Sequence, residues 1–174
     1  INCAKANKLK VPFIRPESLS NDFSSTYDVI LHAINYYESK NEFYDLLVLL
    51  QPTTPFRKIK DLKKMLNQWD HDLEMMASVK ESHASPYFNL FEEDENNYLI
   101  KSKKSDVTRR QDLPKVYALN GSIYIYNIKS LKKKHSNKFC KIKKHVMDDP
   151  IYSIDIDTKL DLLVAESVIK NKLI

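Results

Sequence analysis

The chain has one glycine, Gly121, in 174 residues, where an average domain of this length carries about 12. Loops that cradle phosphate with backbone N–H groups are built on glycine, because only a residue without a side chain lets the main chain turn that sharply and come that close. A glycine-rich phosphate loop is therefore excluded from residues 1–174. A hydrophobic content of 43% is enough for one compact domain and rules out a disordered chain. The first residue, Ile1, is not an initiator methionine. An α/β nucleotide enzyme without its phosphate loop is expected to be missing a segment, so the chain reads as a fragment beginning mid-domain.

Charge and cysteine content remove further classes. No run approaches the roughly 20 apolar residues of a membrane helix, and no charged-then-apolar opening resembles a secretory signal. The expectation is a cytoplasmic protein with no membrane partner. Cys3 and Cys140 are too few and too far apart for a disulfide framework or a zinc site. The net charge of +5 invites a nucleic-acid reading, but the basic residues are mostly lysines scattered along the chain or gathered in solvated groups such as Lys132, Lys133 and Lys134. No nucleic-acid partner is expected. The arginines Arg15, Arg57, Arg109 and Arg110 stand beside prolines or as a pair, which suits anion recognition at a site.

Apolar periodicity divides the chain into alternating elements. Residues 1–10 read as the end of a helix and Val11 to Ile14 as a short strand. Asn21 and Asp22 precede a helical pattern through Val29, Ile30, Ala33, Ile34 and Tyr37. Leu46 to Leu50 is short and wholly apolar, as in a strand buried on both faces of a parallel sheet. A helix is expected over Lys58 to Trp69 and a strand over Met75 to Val79. His83 to Leu113 is irregular and too long for an ordinary connection. Ser122 to Tyr126 alternates as a strand, Ile128 to Lys133 reads as a short helix and Ile151 to Ile156 as a last strand. Thr158, with Asp161 three residues on, caps a closing helix. Strands alternating with helices make an α/β layered domain.

Three constellations could carry chemistry. Asp155 and Asp157 end the last expected strand, where residues two apart share a face and open α/β sheets bind ligands. Two convergent carboxylates suit Mg2+, which takes its remaining ligands from water and phosphate; a solvated strand end before a helix cap is the plainer reading. Gln51-Pro52-Thr53-Thr54-Pro55 is a stiff polar turn after a strand, with Gln51 offering both donor and acceptor, while Thr53 and Thr54 fit a plain turn equally well. Arg109-Arg110-Gln111 could hold a carboxylate or phosphate or be solvated. Asn120-Gly121 is either a hairpin turn or a presented amide. The histidines share no metal spacing.

Taken in order, Arg15-Pro-Glu-Ser-Leu-Ser20 with Asp22, Leu49-Leu-Gln-Pro-Thr-Thr-Pro55, Arg109-Arg-Gln-Asp-Leu-Pro114, Asn120-Gly-Ser-Ile-Tyr124 and Ser153-Ile-Asp-Ile-Asp-Thr158 resemble the acylneuraminate cytidylyltransferases, which make CMP-sialic acids and related CMP-nonulosonates. Gln51-Pro52-Thr53 stands where CMP-Kdo synthetases usually have Gln-Gly-Asp. The resemblance covers nearly the whole chain. It implies a Rossmann-like nucleotidyltransferase domain over 1–174 with a mostly parallel sheet and a dimerisation and sugar-binding insertion at 83–113. It also implies that the first strand and the phosphate-binding segment, with the family's Ala-Arg, Ser-Lys and Lys-Asn motif, are missing.

By the same resemblance the reaction is transfer of CMP from CTP to an acidic nine-carbon sugar with release of pyrophosphate. Asp155 and Asp157 are the expected catalytic pair and hold Mg2+, with Asp157 also near the attacking hydroxyl. Arg15 and Ser25 lie near the nucleotide; Gln51, Arg110, Asn120 and Tyr124 orient the sugar. Phe139 matches a phenylalanine that reaches a partner's sugar site in a homodimer whose interface includes Tyr87, Phe88, Phe91 and Tyr98. One departure concerns the sugar: some members have a lysine soon after the Pro-Tyr matched by Pro86-Tyr87, where this chain has Phe88 and Asn89. The fragment itself is expected to be inactive, and the rival reading is a non-enzymatic dimerisation or binding module that keeps the fold.

Overall fold

A computed structural model of the chain describes residues 1–21 and 23–174; Asp22, grouped above with Asn21 as a helix-start signal, lies outside the described residues. The elements follow one another as α1 (Asn2–Ala6), α2 (Thr26–Glu38), β1 (Leu46–Leu49), α3 (Ile59–Asn67), β2 (Met75–Glu81), β3 (Phe91–Glu93), β4 (Leu99–Lys101), β5 (Tyr117–Asn127), α4 (Ile128–Lys133), β6 (Ile142–Val146) and α5 (Lys159–Lys170). The main sheet has the order β1-β5-β2-β6. Strands β1, β2 and β6 share one direction and β5 runs against them. The result is an α/β domain with a mixed sheet in which parallel strands predominate.

Strand β5 organises the core because its side chains alternate between two apolar layers. Tyr124 and Tyr126 face Ile30 and Ile34 of α2, with Ile128 and Leu131 of α4 in the same cluster. Ile123 and Ile125 face the opposite layer, where Met65 of α3 and Ala165 and Val168 of α5 pack. Helices on both faces of one sheet bury the apolar side of every element at once. The β-branched and aromatic residues of β5 suit a pleated, fully covered surface. The Thr158 cap forms as expected: its Oγ1 accepts the Asp161 N–H and the Asp161 carboxylate accepts the Thr158 N–H, at 3.3 and 2.8 Å. Among the described residues no helix is long and apolar enough to cross a membrane.

Several expectations are corrected. Val11 to Ile14 forms no strand; Phe13 packs on His32 and Tyr36 of α2, and the Tyr36 hydroxyl donates to the Pro12 carbonyl at 2.7 Å, so the segment is tied to a helix. The cap of α2 is Ser25, whose hydroxyl accepts the Asp28 N–H, while Asn21 turns the preceding loop by accepting the Phe23 N–H. Among the described residues β1 pairs with β5 alone, antiparallel, and Val48 is 39% exposed; there it is an edge strand rather than one buried on both faces. The last strand is not Ile151 to Ile156. Pro150–Ser153 is a 3₁₀ turn started by Asp149, whose carboxylate accepts the Ile151 N–H, and the strand is β6. Its Lys-rich sequence hid it, as charged edge strands do. Within the irregular segment, β3 and β4 form a hairpin whose turn is held by Asp94, with Asn97 at φ 63°. Phe88, Phe91 and Tyr98 of this segment are exposed, while Tyr87 is half-buried under Lys103.

Glu74, just before β2, pins the start of β6. Its carboxylate pairs with Lys134 at 2.7 Å and accepts the N–H groups of Cys140 and Lys141 at 2.7 and 3.1 Å. Lys134 first, then these two N–H donors, hold its pKa at about 2. The folded value lies below the unfolded one, so the stability it contributes is complete above about pH 4.5 and is lost as pH falls towards 2. Glu74→Gln is expected to flatten the stability curve over that window, measured by urea unfolding at stepped pH. A variant that keeps the wild-type slope would contradict this.

Candidate active site

The site is organised by an irregularity in β5. Pairing with β2 runs in register to Ala77 opposite Tyr124 and resumes only at Val79 opposite Leu119. Asn120 to Ile123 therefore stand opposite the single residue Ser78, a wide bulge that re-aims the chain. Ser78 is fully buried, and its hydroxyl supplies what the ladder has lost: it lies 2.6 Å from Asn120 Oδ1 as donor and accepts the Ile123 N–H at 2.8 Å. The Asn120 amide in turn donates to Ser153 Oγ at 3.1 Å.

Gly121 sits at the crest with φ 73°, a conformation that side chains disfavour. A Cβ there would come within 2.6 Å of Gln51 Oε1 and 2.7 Å of Thr54 Oγ1, with Asp155 Oδ2 at 3.6 Å. The chain's one glycine thus marks the point where the polar turn after β1 meets the carboxylate segment. Arg57 fixes that turn from below by donating from Nη2 to the carbonyls of Gln51, at 2.5 Å, and Thr54. Burial lowers the Arg57 pKa, yet a guanidinium stays charged at neutral pH.

Asp155 and Asp157 share a side for a different reason from the one expected. Ile154 and Ile156 pack inward on the layer of Met76 and Ile125, and the Ile156 N–H donates to the Thr53 carbonyl at 2.8 Å. The intervening Asp155, and Asp157 after it, stay exposed. Tyr124 is buried nearby. Burial first, and the Asp155 charge second, raise its pKa, while a hydrogen bond with the Gly121 backbone pulls the other way. Its hydroxyl therefore remains protonated and able to donate.

Arg15 and Gln51 line one cleft of about 300 Å³ with Ser24, Thr26, Pro52 and Thr53. Ser25 lies between two of these residues but spends its hydroxyl on Asp28, donating to the carboxylate at 2.6 Å. Arg110 lies in a second cleft of about 430 Å³ with Ser82, Ser85 and Lys115, and donates to the His83 carbonyl at 2.8 Å. Asn120 is corrected from a presented amide to a structural one: it is 4% exposed and both ends of its amide are bonded inward. Phe139, expected to reach a partner's sugar site, is 7% exposed and packs in the chain's own core beside Tyr126 and Leu131, with Lys134 over its ring.

The structure adds Ser78, Thr54 and Arg57 to the residues that shape the site. Thr54 and Arg57 adjoin the motif around Gln51, so proximity in sequence could have pointed to them; no spacing marks Ser78. Among the described residues no group of three His, Cys, Asp or Glu could hold a metal. The donor set is a pair of exposed carboxylates beside a side-chain amide. Hard oxygen donors of that number fit Mg2+, which keeps waters and phosphate oxygens for its other positions.

No protein-family model matches the chain. The CMP-N,N'-diacetyllegionaminic acid synthase of Legionella pneumophila is 26% identical over 160 residues, which are 92% of this chain and 69% of that protein. The N-acylneuraminate cytidylyltransferase of Streptococcus agalactiae serotype V is 31% identical over 154 residues, 86% of this chain but 35% of the relative. The chain is a homologue of the CMP-nonulosonate and acylneuraminate cytidylyltransferases. A solved CMP:2-keto-3-deoxy-manno-octonic acid synthetase complexed with CTP superposes over 98% of this chain and 76% of its own, with a TM-score of 0.65 at 14% identity. At that identity the likeness establishes a shared fold.

Gly121→Ala tests the convergence directly. The added methyl meets Gln51 and Thr54 and occupies a disfavoured φ, which is expected to cost about 1–3 kcal/mol and to lower the urea midpoint. An unchanged midpoint would show that the turn and the bulge are not in contact.

Proposed function

We propose that this protein transfers CMP from CTP to the anomeric hydroxyl of an acidic nine-carbon sugar, an N-acylneuraminate or a related nonulosonate, and releases pyrophosphate. The observation that carries the reading is the meeting of Gln51, Thr54 and Asp155 around Gly121, because those residues belong to three separate motifs shared in order with the cytidylyltransferases. The homology of the chain to enzymes named for CMP-sugar synthesis supports the same reading.

In-line attack on a phosphoryl group asks a protein for positioning and charge neutralisation more than for covalent chemistry. Gln51 carries a donor and an acceptor on one amide and is held through its carbonyl by Arg57, so it can orient a sugar hydroxyl without moving its own backbone. Arg15, in the same cleft, offers a guanidinium to a phosphate or a carboxylate. Tyr124 keeps a protonated hydroxyl near Asp155, its pKa raised chiefly by burial. The carboxylates of Asp155 and Asp157 would hold Mg2+, which when bound neutralises phosphate charge and lowers the barrier to attack. Asp157 is the carboxylate assigned to the attacking hydroxyl. Arg110, in its separate cleft, is the candidate for the sugar carboxylate; with Phe88 and Asn89 where some relatives have a lysine, either Arg110 holds it alone or the sugar differs. The chain's one glycine is committed to the β5 bulge, so residues 1–174 supply the sugar and cation side of the reaction and no glycine-built phosphate cradle.

Asp157→Asn in the full natural chain is expected to reduce CTP-dependent pyrophosphate release by at least about a hundredfold while the unfolding midpoint stays within about 0.5 kcal/mol, as for an exposed substitution. Wild-type turnover in this variant would overturn the assignment of the carboxylate pair.

A further inference from the structure

We propose that Ser78 is a positioning residue for this reaction, fixing Gly121 and Asp155 relative to each other through a buried chain of hydrogen bonds. The proposal rests on the reading of the site given above and adds to it a residue that touches no substrate. Ser78 lies in the middle of β2 with no exposed surface, and its hydroxyl has two connections. It accepts the Ile123 N–H at 2.8 Å, which closes the bulge on its far side. It donates to Asn120 Oδ1 at 2.6 Å, with the Ile123 carbonyl at 3.1 Å as the alternative acceptor. Asn120 Nδ2 passes the connection on to Ser153 Oγ at 3.1 Å and towards the Tyr152 carbonyl at 3.4 Å. Ser153 lies two residues before Asp155. Ser78, Asn120 and Ser153 are all at least nine-tenths buried, so no water replaces these partners at low cost.

The geometry gives the chain of bonds a direction. One end holds the segment that begins with Gly121, whose missing Cβ leaves room for Gln51 and Thr54. The other end holds the segment that presents Asp155 and Asp157. Without the Ser78 hydroxyl, the Ile123 N–H loses its buried partner and Asn120 Oδ1 keeps only the Ser122 N–H at 3.3 Å, so the bulge that carries Gly121 is free to shift. A shift of about 1 Å in a reacting geometry can cost about a hundredfold in rate.

The test compares Ser78→Ala with Ser78→Cys in the full natural chain. Alanine removes the hydroxyl and leaves a small void, whereas cysteine fills the site with a somewhat larger sulfur that is only a weak hydrogen-bond partner. If positioning is the role, both variants lower kcat by about 10- to 100-fold while KM for CTP changes by less than about threefold, and amide exchange at Ile123 quickens in both. A purely packing role predicts wild-type kcat in the cysteine variant, which would overturn the proposal. Should the alanine variant fail to fold, the cysteine variant alone decides by the same criterion. Wild-type protein that transfers no CMP to any acidic nine-carbon sugar, with Ile123 exchange still dependent on Ser78, would overturn the functional reading and the proposal with it; wild-type activity with an unaffected kcat in both variants would overturn only the proposal.

Discussion

The absence of one methyl group governs how this site is assembled. At Gly121 the space that a Cβ would fill is taken by the side chains of Gln51 and Thr54, so the turn after β1 and the bulge in β5 approach as closely as backbone allows. The bulge exists because Asn120 to Ile123 face Ser78 alone, and a buried hydroxyl replaces the ladder bonds that such an insertion breaks. Sheet, turn and carboxylate segment then share a network with few spare partners. Ser78, Asn120 and Ser153 satisfy one another, while Ser122 Oγ and Arg57 Nε are buried without a partner, and low dielectric makes every such group costly.

Charge follows the same plan. Arg57 lies under the turn and donates from Nη2 to two carbonyls, and among the described residues no ion pair engages the exposed carboxylates of Asp155 and Asp157. The Tyr124 phenol, its pKa raised by burial and by Asp155, stays neutral next to them. The pattern offers oxygen donors to a hard cation on one side and fixed hydrogen-bond donors on the other. Phosphoryl transfer needs both kinds of group in place before substrate arrives.

Much of this was legible in the sequence, and the failures have particular causes. The capping box of α5 and the apolar face of α2 were plain because local chemistry alone decides them. β6 was not, since a Lys-rich edge strand carries no apolar alternation. Spacing pairs Asp155 and Asp157 on the premise of a strand; both are exposed, but the segment is no strand, and it is the inward anchoring of Ile154 and Ile156 that leaves them outside, an alternation that spacing cannot distinguish from a strand. Asn120 reads as a presented amide because the residues before it lack a strand's clean alternation, whereas Asn120-Gly121 belongs to a bulge within β5 whose amide is bonded inward. Phe139 was assigned outward by resemblance, and the packing of the core around Tyr126 and Leu131 turns it inward. Ser78 was invisible, as its importance arises only from what stands opposite it across the sheet.

A single glycine also provides a direct probe. Labelling the 174-residue chain with ¹⁵N-glycine gives one amide resonance, that of Gly121, and Mn2+ can stand in for Mg2+ as a paramagnetic cation. If the carboxylate pair beside the bulge holds the cation, Mn2+ broadens the Gly121 resonance, and Asp155→Asn with Asp157→Asn abolishes the broadening. A resonance that stays sharp as Mn2+ is added, or that broadens equally in the doubly substituted chain, would contradict the claim that this bulge is the centre of the site.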